Sequence, residues 1–121
     1  MGKKIIKITP KGSRAEDPGF MNLKAMQKFV GGSVECLSLS EDYVMIVNAG
    51  RKMLELPYNP TATEIYRAFT VTADFIAGNA LIAKAEGEDL LALDDMEAKG
   101  FFEIIRRLSE PERTTRDALR I

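Results

Sequence analysis

The chain is predicted to fold as an α+β domain. Short apolar runs are separated by Gly, Asn and Pro at turn spacing, and between them lie stretches whose apolar residues recur at helical spacing. The two kinds of segment follow one another as β-α-β-β-β-α-β-β-α, an order that favours sequential hairpins over parallel crossovers. The expected architecture is a mostly antiparallel sheet of five or six short strands flanked by two or three helices.

The organising stretch is Met26 to Tyr66, where almost every local rule agrees. Lys4 to Thr9 comes before it as a first strand, with Ile5, Ile6 and Ile8 supplying β-branched bulk before Pro10 stops it. Lys11 to Gly19 is a loop by composition, all Gly, Ser, Pro and charge without periodicity. Asn22 can cap a helix carrying Leu23, Met26, Phe29 and Val30, and Gly31 suits the left-handed residue that ends it. A phosphate cradle needs strand, glycine loop and then helix, so helix, Gly31-Gly32 and then strand reads as a helix stop.

Val34 to Leu39 alternates, with Leu37 and Leu39 on one face and Val34 and Cys36 on the other. Tyr43 to Val47 is apolar on both faces and reads as the central, doubly covered strand. Asn48 to Arg51 fits a hairpin turn with Gly50 at positive φ, after which Lys52 to Leu56 returns antiparallel. Pro57 and Pro60 break the sheet, and Thr61 with Glu64 forms a capping box for a short helix bearing Ile65, Ala68 and Phe69. Leu81 to Ala85 and Leu90 to Ala92 are strands joined by Glu86-Gly87-Glu88-Asp89. A second capping box, Asp94 with Glu97, starts the longest helix, whose Phe101, Phe102, Ile104, Ile105 and Leu108 cover the sheet. The whole reads as one domain: a basic leader over residues 1–20, a core over 21–108 and a basic tail over 109–121, where a final helix can form.

At 121 residues with 45% hydrophobic and 29% charged side chains, the chain can bury a single modest core. It has no histidine and one cysteine. Ser-His and Cys-His nucleophiles, His-containing zinc or iron sites and thiolate zinc sites are therefore excluded, as is an internal disulfide. Glu35 beside Cys36 would raise the thiol pKa, so Cys36 reads as a small core residue rather than a nucleophile. No catalytic constellation stands out, and a non-enzymatic role without cofactor or metal is expected. No membrane span or signal peptide is recognisable, and a reducing cytoplasm is the expected compartment.

Charge is uneven although the net is −1. Residues 1–28 hold seven Lys or Arg against Glu16 and Asp17, while residues 63–104 hold nine acids against Arg67, Lys84 and Lys99. Two surfaces follow. Glu86, Glu88, Asp89, Asp94, Asp95 and Glu97 could contact a protein partner by charge steering. Lys3, Lys4, Lys7, Lys11 and Arg14 could instead meet nucleic acid, but that segment has no stacking aromatic nearer than Phe20. A metal-dependent activity at the acids is the third reading. It is opposed by a strand of about five residues, roughly 16 Å, between the two clusters and by the lack of EF-hand spacing.

The series Phe29-Val30-Gly31-Gly32-Ser33-Val34-Glu35, Val44-x-Ile46-Val47-Asn48-x-Gly50-Arg51, Leu56-Pro57-Tyr58-Asn59-Pro60-x-Ala62-Thr63 and Ile76-Ala77-Gly78-Asn79-Ala80-Leu81-Ile82 resembles a small family. That family is a domain of unknown function found in phages, plasmids and conjugative elements of bacteria. The resemblance covers about residues 26–105, with a shorter Asn48-Ala49-Gly50 turn and an extra basic leader before Met21. It implies a mobile-element origin and action in the bacterial cytoplasm on a protein of the host or element, counter-defence being one such role. It carries over no catalytic residue, and Asn59 and Thr63 read as turn closure and helix capping.

Overall fold

The computed structural model describes residues 3–17 and 22–108; the basic tail and its expected final helix lie outside the described residues, as does Phe20. Within them run β1 (Ile5–Thr9), β2 (Gly12–Glu16), α1 (Leu23–Val30), β3 (Val34–Ser38) and β4 (Tyr43–Asn48). They are followed by α2 (Pro60–Phe69), β5 (Ala80–Glu86), β6 (Asp89–Leu91) and α3 (Asp95–Leu108). The strands form one six-stranded sheet in the order β2-β1-β5-β4-β3, with β6 pairing the far end of β5. Every strand pairing is antiparallel, so the α+β expectation holds.

Strand alternation splits the core into two layers. Ile6, Ile8, Met45, Val47 and Ile82 face α2 and α3 and pack with Ile65, Phe101 and Ile105. Ile5, Val44, Ile46, Leu81 and Ala83 face the other way, toward Met26 of α1. One short helix covers this second face, and its cluster is the smaller of the two.

Several local expectations are overturned. The segment expected as a loop contains β2, which pairs with β1 from Thr9↔Gly12 to Ile5↔Glu16. As an edge strand with mostly exposed side chains, β2 carries no apolar pattern to betray it. Lys52 to Leu56 forms consecutive turns rather than a strand, because β3 and β5 already occupy both sides of β4. The left-handed residue of that loop is Glu55 (φ 53°), and Gly50 does not take positive φ. The strand at the sheet centre is β5; β4 lies next to it, covered on both faces as expected. Cys36 is exposed rather than a core residue, since it lies on the outermost strand. The α2 cap is Asn59, as its capping reading expects, with Pro60 following; it lies two residues before the expected Thr61–Glu64 box.

Buried carboxamides join the elements at one end of the sheet. Asn59 is fully buried; its Nδ2 donates to the carbonyls of Ile8 (3.0 Å) and Gly78 (2.8 Å), and its Oδ1 accepts from the Ala62 amide (3.0 Å). One side chain thus holds the end of β1, the approach to β5 and the first turn of α2. Thr63 Oγ1 accepts from the Ile76 amide at 2.9 Å, fastening the same approach to α2. At the C-terminus of α1, Asn48 donates to the Val30 carbonyl and Asn79 to the Phe29 carbonyl, each at 3.0 Å. These are carbonyls that a helix end leaves without intrahelical partners. Asn48 Oδ1 also accepts from the Gly50 amide at 2.7 Å. A Cβ on Gly32 would stand 3.0 Å from Asn48 Nδ2, so a larger residue there would press on this carboxamide. Gly78 combines φ +82° with a Cβ position 2.7 Å from Leu56 Cδ1, so any side chain there would be strained and would displace Leu56.

Replacing Asn59 by Ala takes the side-chain partner from the Gly78 carbonyl and the helix-terminal Ala62 amide. It also removes a second bond to the Ile8 carbonyl, which keeps its place in the ladder with Ala80. Asn59→Ala should cost roughly 2–4 kcal/mol in urea unfolding. A loss no larger than that of an exposed cap such as Asn22→Ala would show that the network is not the join described.

Candidate functional site

The acidic residues singled out from sequence separate into two kinds. Asp94 and Glu97 form the expected capping box: Glu97 N–H donates to Asp94 Oδ1 at 2.7 Å, and Asp94 N–H to Glu97 Oε1 at 3.0 Å. The other oxygen of Glu97 accepts from the Tyr43 hydroxyl at 2.5 Å and faces Lys84 at 3.4 Å. Glu97 therefore anchors the start of α3 to β4 and β5. The Asp94 N–H first, then the Tyr43 hydroxyl and Lys84, hold its carboxyl below the usual range. The same bond to Glu97, with burial second, pushes the Tyr43 phenol up to about 12.

Glu86, Glu88, Asp89 and Asp95 are exposed. β6 folds back along β5 and sets Glu86 opposite Asp89 within the first cluster, while Asp94, Asp95 and Glu97 follow at the other end of β6, so the strand separates the two clusters. Lys84 and Glu86 share a strand face by alternation, and Lys84 meets Glu97 of α3, so Glu86 and Asp89 lie on the α3 side of the sheet. Among the described residues, no group of three or more His, Cys, Asp or Glu side chains is placed to hold a metal ion.

The basic residues are dispersed. Lys3 is exposed, and Lys4 pairs through its backbone with Leu93. Lys11 lies at the exposed β1–β2 turn. Lys7 and Arg14 stand opposite each other and both contact Glu16, whose carboxyl Arg14 chiefly, then Lys7, hold below its usual range. The fold also supplies an aromatic that sequence proximity does not: Lys7 Nζ sits 5.1 Å from the ring centroid of Phe29. Lys7, Ala25, Lys28, Phe29 and Asn79 line an open cleft of about 500 Å³.

A third surface went unnoticed in the sequence. The turns after β4 expose Met53 (92%) and Leu54 (59%), while the Tyr58 and Phe75 rings meet at a tilt of 49° with centroids 6.2 Å apart, both part-exposed. Lys52 Nζ caps the Phe75 ring at 5.2 Å and pairs with Asp74 at 2.5 Å. Beneath this loop, Arg51 is buried, with Nη1 on Glu35 at 2.6 Å and on the Asn48 carbonyl at 3.3 Å, and Nη2 3.8 Å from Asp74. Its Nε has no partner among the described residues, an unmet donor in a guanidinium whose other nitrogens are engaged. The loop is therefore clamped to β3 and to the segment before β5, although it exposes large apolar side chains. Exposure of that kind, rimmed by charge, marks a contact surface. Its sequence signal was Met53-Leu54 beside Arg51, which alternation disguised as a strand.

The profile of a family described as a domain of unknown function (DUF3846) matches residues 3–107, and the chain belongs to that family. The match takes in the β1–β2 hairpin that the sequence resemblance placed outside the shared core. No curated protein and no solved structure matches the chain. No helix of the described residues is long and apolar enough to cross a membrane.

The Tyr43–Glu97 bond makes stability sensitive to pH in both directions. The lowered Glu97 contributes stability that is present above the ordinary carboxylate range and lost as pH falls through its folded value. The raised Tyr43 contributes stability that is present below the ordinary phenol range and lost as pH rises toward about 12. In a phenolate absorbance titration, Glu97→Gln should move the latest step to lower pH. Superimposable curves for the two proteins would show that the bond does not form.

Proposed function

We propose that the domain is a non-enzymatic interaction module of a bacterial mobile element, which binds a protein of the element or its host through the loop surface of Met53, Leu54, Tyr58 and Phe75. The observation that carries this reading is the exposure of those apolar side chains on the loop after β4 and on the segment before β5, which buried Arg51 ties to the sheet. Solvent-facing Met and Leu in a mobile loop would mean little. Held in place by Arg51, with the tilted Tyr58 and Phe75 rings exposed on the same and the adjoining segment, they form a preordered anchor of the kind found at interface centres. The mobile-element assignment rests on the sequence resemblance, and counter-defence is the role it suggests.

The acidic end is the rival contact, and one experiment separates the two. Pull-downs from bacterial lysate should recover the same specific protein with wild type and with the Glu88→Lys, Asp89→Lys variant. The Met53→Asp, Leu54→Asp variant should lose it at unchanged melting temperature, since exposed substitutions carry little stability. Loss with the lysine variant alone, in a contact weakening steeply from about 50 to 500 mM salt, would transfer the role to the acids. Recovery of no specific protein by wild type would count against the module itself.

Nucleic-acid binding is a second reading, favoured by the placement of Phe29 beneath Lys7 and beside Lys28. A base could stack on that ring while the lysines met phosphate. Gel shift of a short single strand at about 50 mM salt, lost in Phe29→Ala, would support it. Absence of any shift would remove it.

A further inference from the structure

The two outer strands of the sheet are guarded very differently. Outermost strands present unpaired main-chain groups, and proteins blunt them with charge, proline or bulges. β2 has such charge, with Arg14 and Glu16 on the strand and Lys7 beside them. β3 reads Val34-Glu35-Cys36-Leu37-Ser38, without proline, lysine or glycine. Its one charge is Glu35, and that carboxylate is turned to buried Arg51 at 2.6 Å, so the charge that would repel a second strand is neutralised.

The register shows which groups are free. The Leu39 amide donates to the Tyr43 carbonyl and the Ala49 amide to the Ser33 carbonyl. In this register odd-numbered residues of the strand therefore point their main-chain groups toward β4. Val34, Cys36 and Ser38 point theirs outward, and among the described residues nothing bonds to those amides and carbonyls.

We propose that β3 is a pairing edge whose occupant is β3 of a second copy, antiparallel and centred on Cys36. Such pairing sets Cys36 opposite its own copy and Val34 opposite Ser38, each pair exchanging both its hydrogen bonds. Glu35 then falls opposite Leu37, with no like charges facing. Centring the pair on Glu35 would keep outward groups facing, Val34 with Cys36, but would oppose two carboxylates in a close, non-hydrogen-bonded pair. The Cys36-centred register joins the two sheets into one across a two-fold axis. The strand is short and adds little apolar area, so the association is weak and concentration-dependent.

The chain has one cysteine, which supplies a direct readout. The paired Cys36 residues would have Cα atoms about 5.5 Å apart, within reach of a short bismaleimide. Sedimentation up to about 1 mM protein should show wild type and Cys36→Ala approaching dimer, with wild type cross-linked by the reagent. Cys36→Pro removes only an outward-facing amide and should weaken the dimer at least about tenfold. Cys36→Lys opposes two ammonium groups at the axis and should weaken it about five- to tenfold, keeping the test decisive if the proline variant folds poorly. Circular dichroism should be unchanged in the lysine variant. A wild type that stays monomeric, a lysine variant that dimerises as tightly as wild type, or a dimer that does not cross-link would each overturn the proposal.

Discussion

The Asn59 carboxamide is the join on which the fold depends. β1, α2 and β5 come from distant parts of the chain; the ladder joins β1 to β5, but α2 and the approach to β5 need hydrogen bonds that it does not supply. One buried side chain meets the Ile8 and Gly78 carbonyls and the Ala62 amide together. Asn48 and Asn79 repeat the device at the end of α1. Asparagine suits this work because it is short, uncharged and carries both donor and acceptor, so burial leaves no net charge to neutralise.

This explains what the family-like residues do. Gly32, Asn48, Gly50, Asn59, Gly78 and Asn79 gather at one end of the sheet, where they connect backbone to backbone. Polar residues in such a pattern suggest a binding site, yet their polar atoms are turned inward to main-chain groups. The apolar side chains left exposed nearby have less distinctive chemistry: Met53, Leu54, Tyr58 and Phe75. A pattern of Asn and Gly here records how the frame is joined rather than what it binds.

Arg51 connects the frame to that surface. A buried guanidinium is costly unless its charge is met, and Glu35 and Asp74 meet it from β3 and from the segment before β5. The same contact has two effects. It holds the apolar loop in one conformation, and it removes the charge that would otherwise guard the outer strand β3.

Local chemistry alone determined much of this protein. Asn22 and Gly31 bound α1, Asp94 and Glu97 open α3, and the two-faced apolar run of β4 announces a covered strand, because each depends on residues within a turn of one another. Strand partners were decided only in three dimensions. β2 was hidden because an outer strand needs no buried face, and Lys52 to Leu56 mimicked a strand although both sides of β4 were already taken. Cys36 looks like a core residue until its strand is found at the edge, and Phe29 becomes the neighbour of Lys7 only when α1 packs on the sheet. Alternation in sequence states which residues share a face; which face is covered, and by what, depends on contacts between residues far apart in the chain.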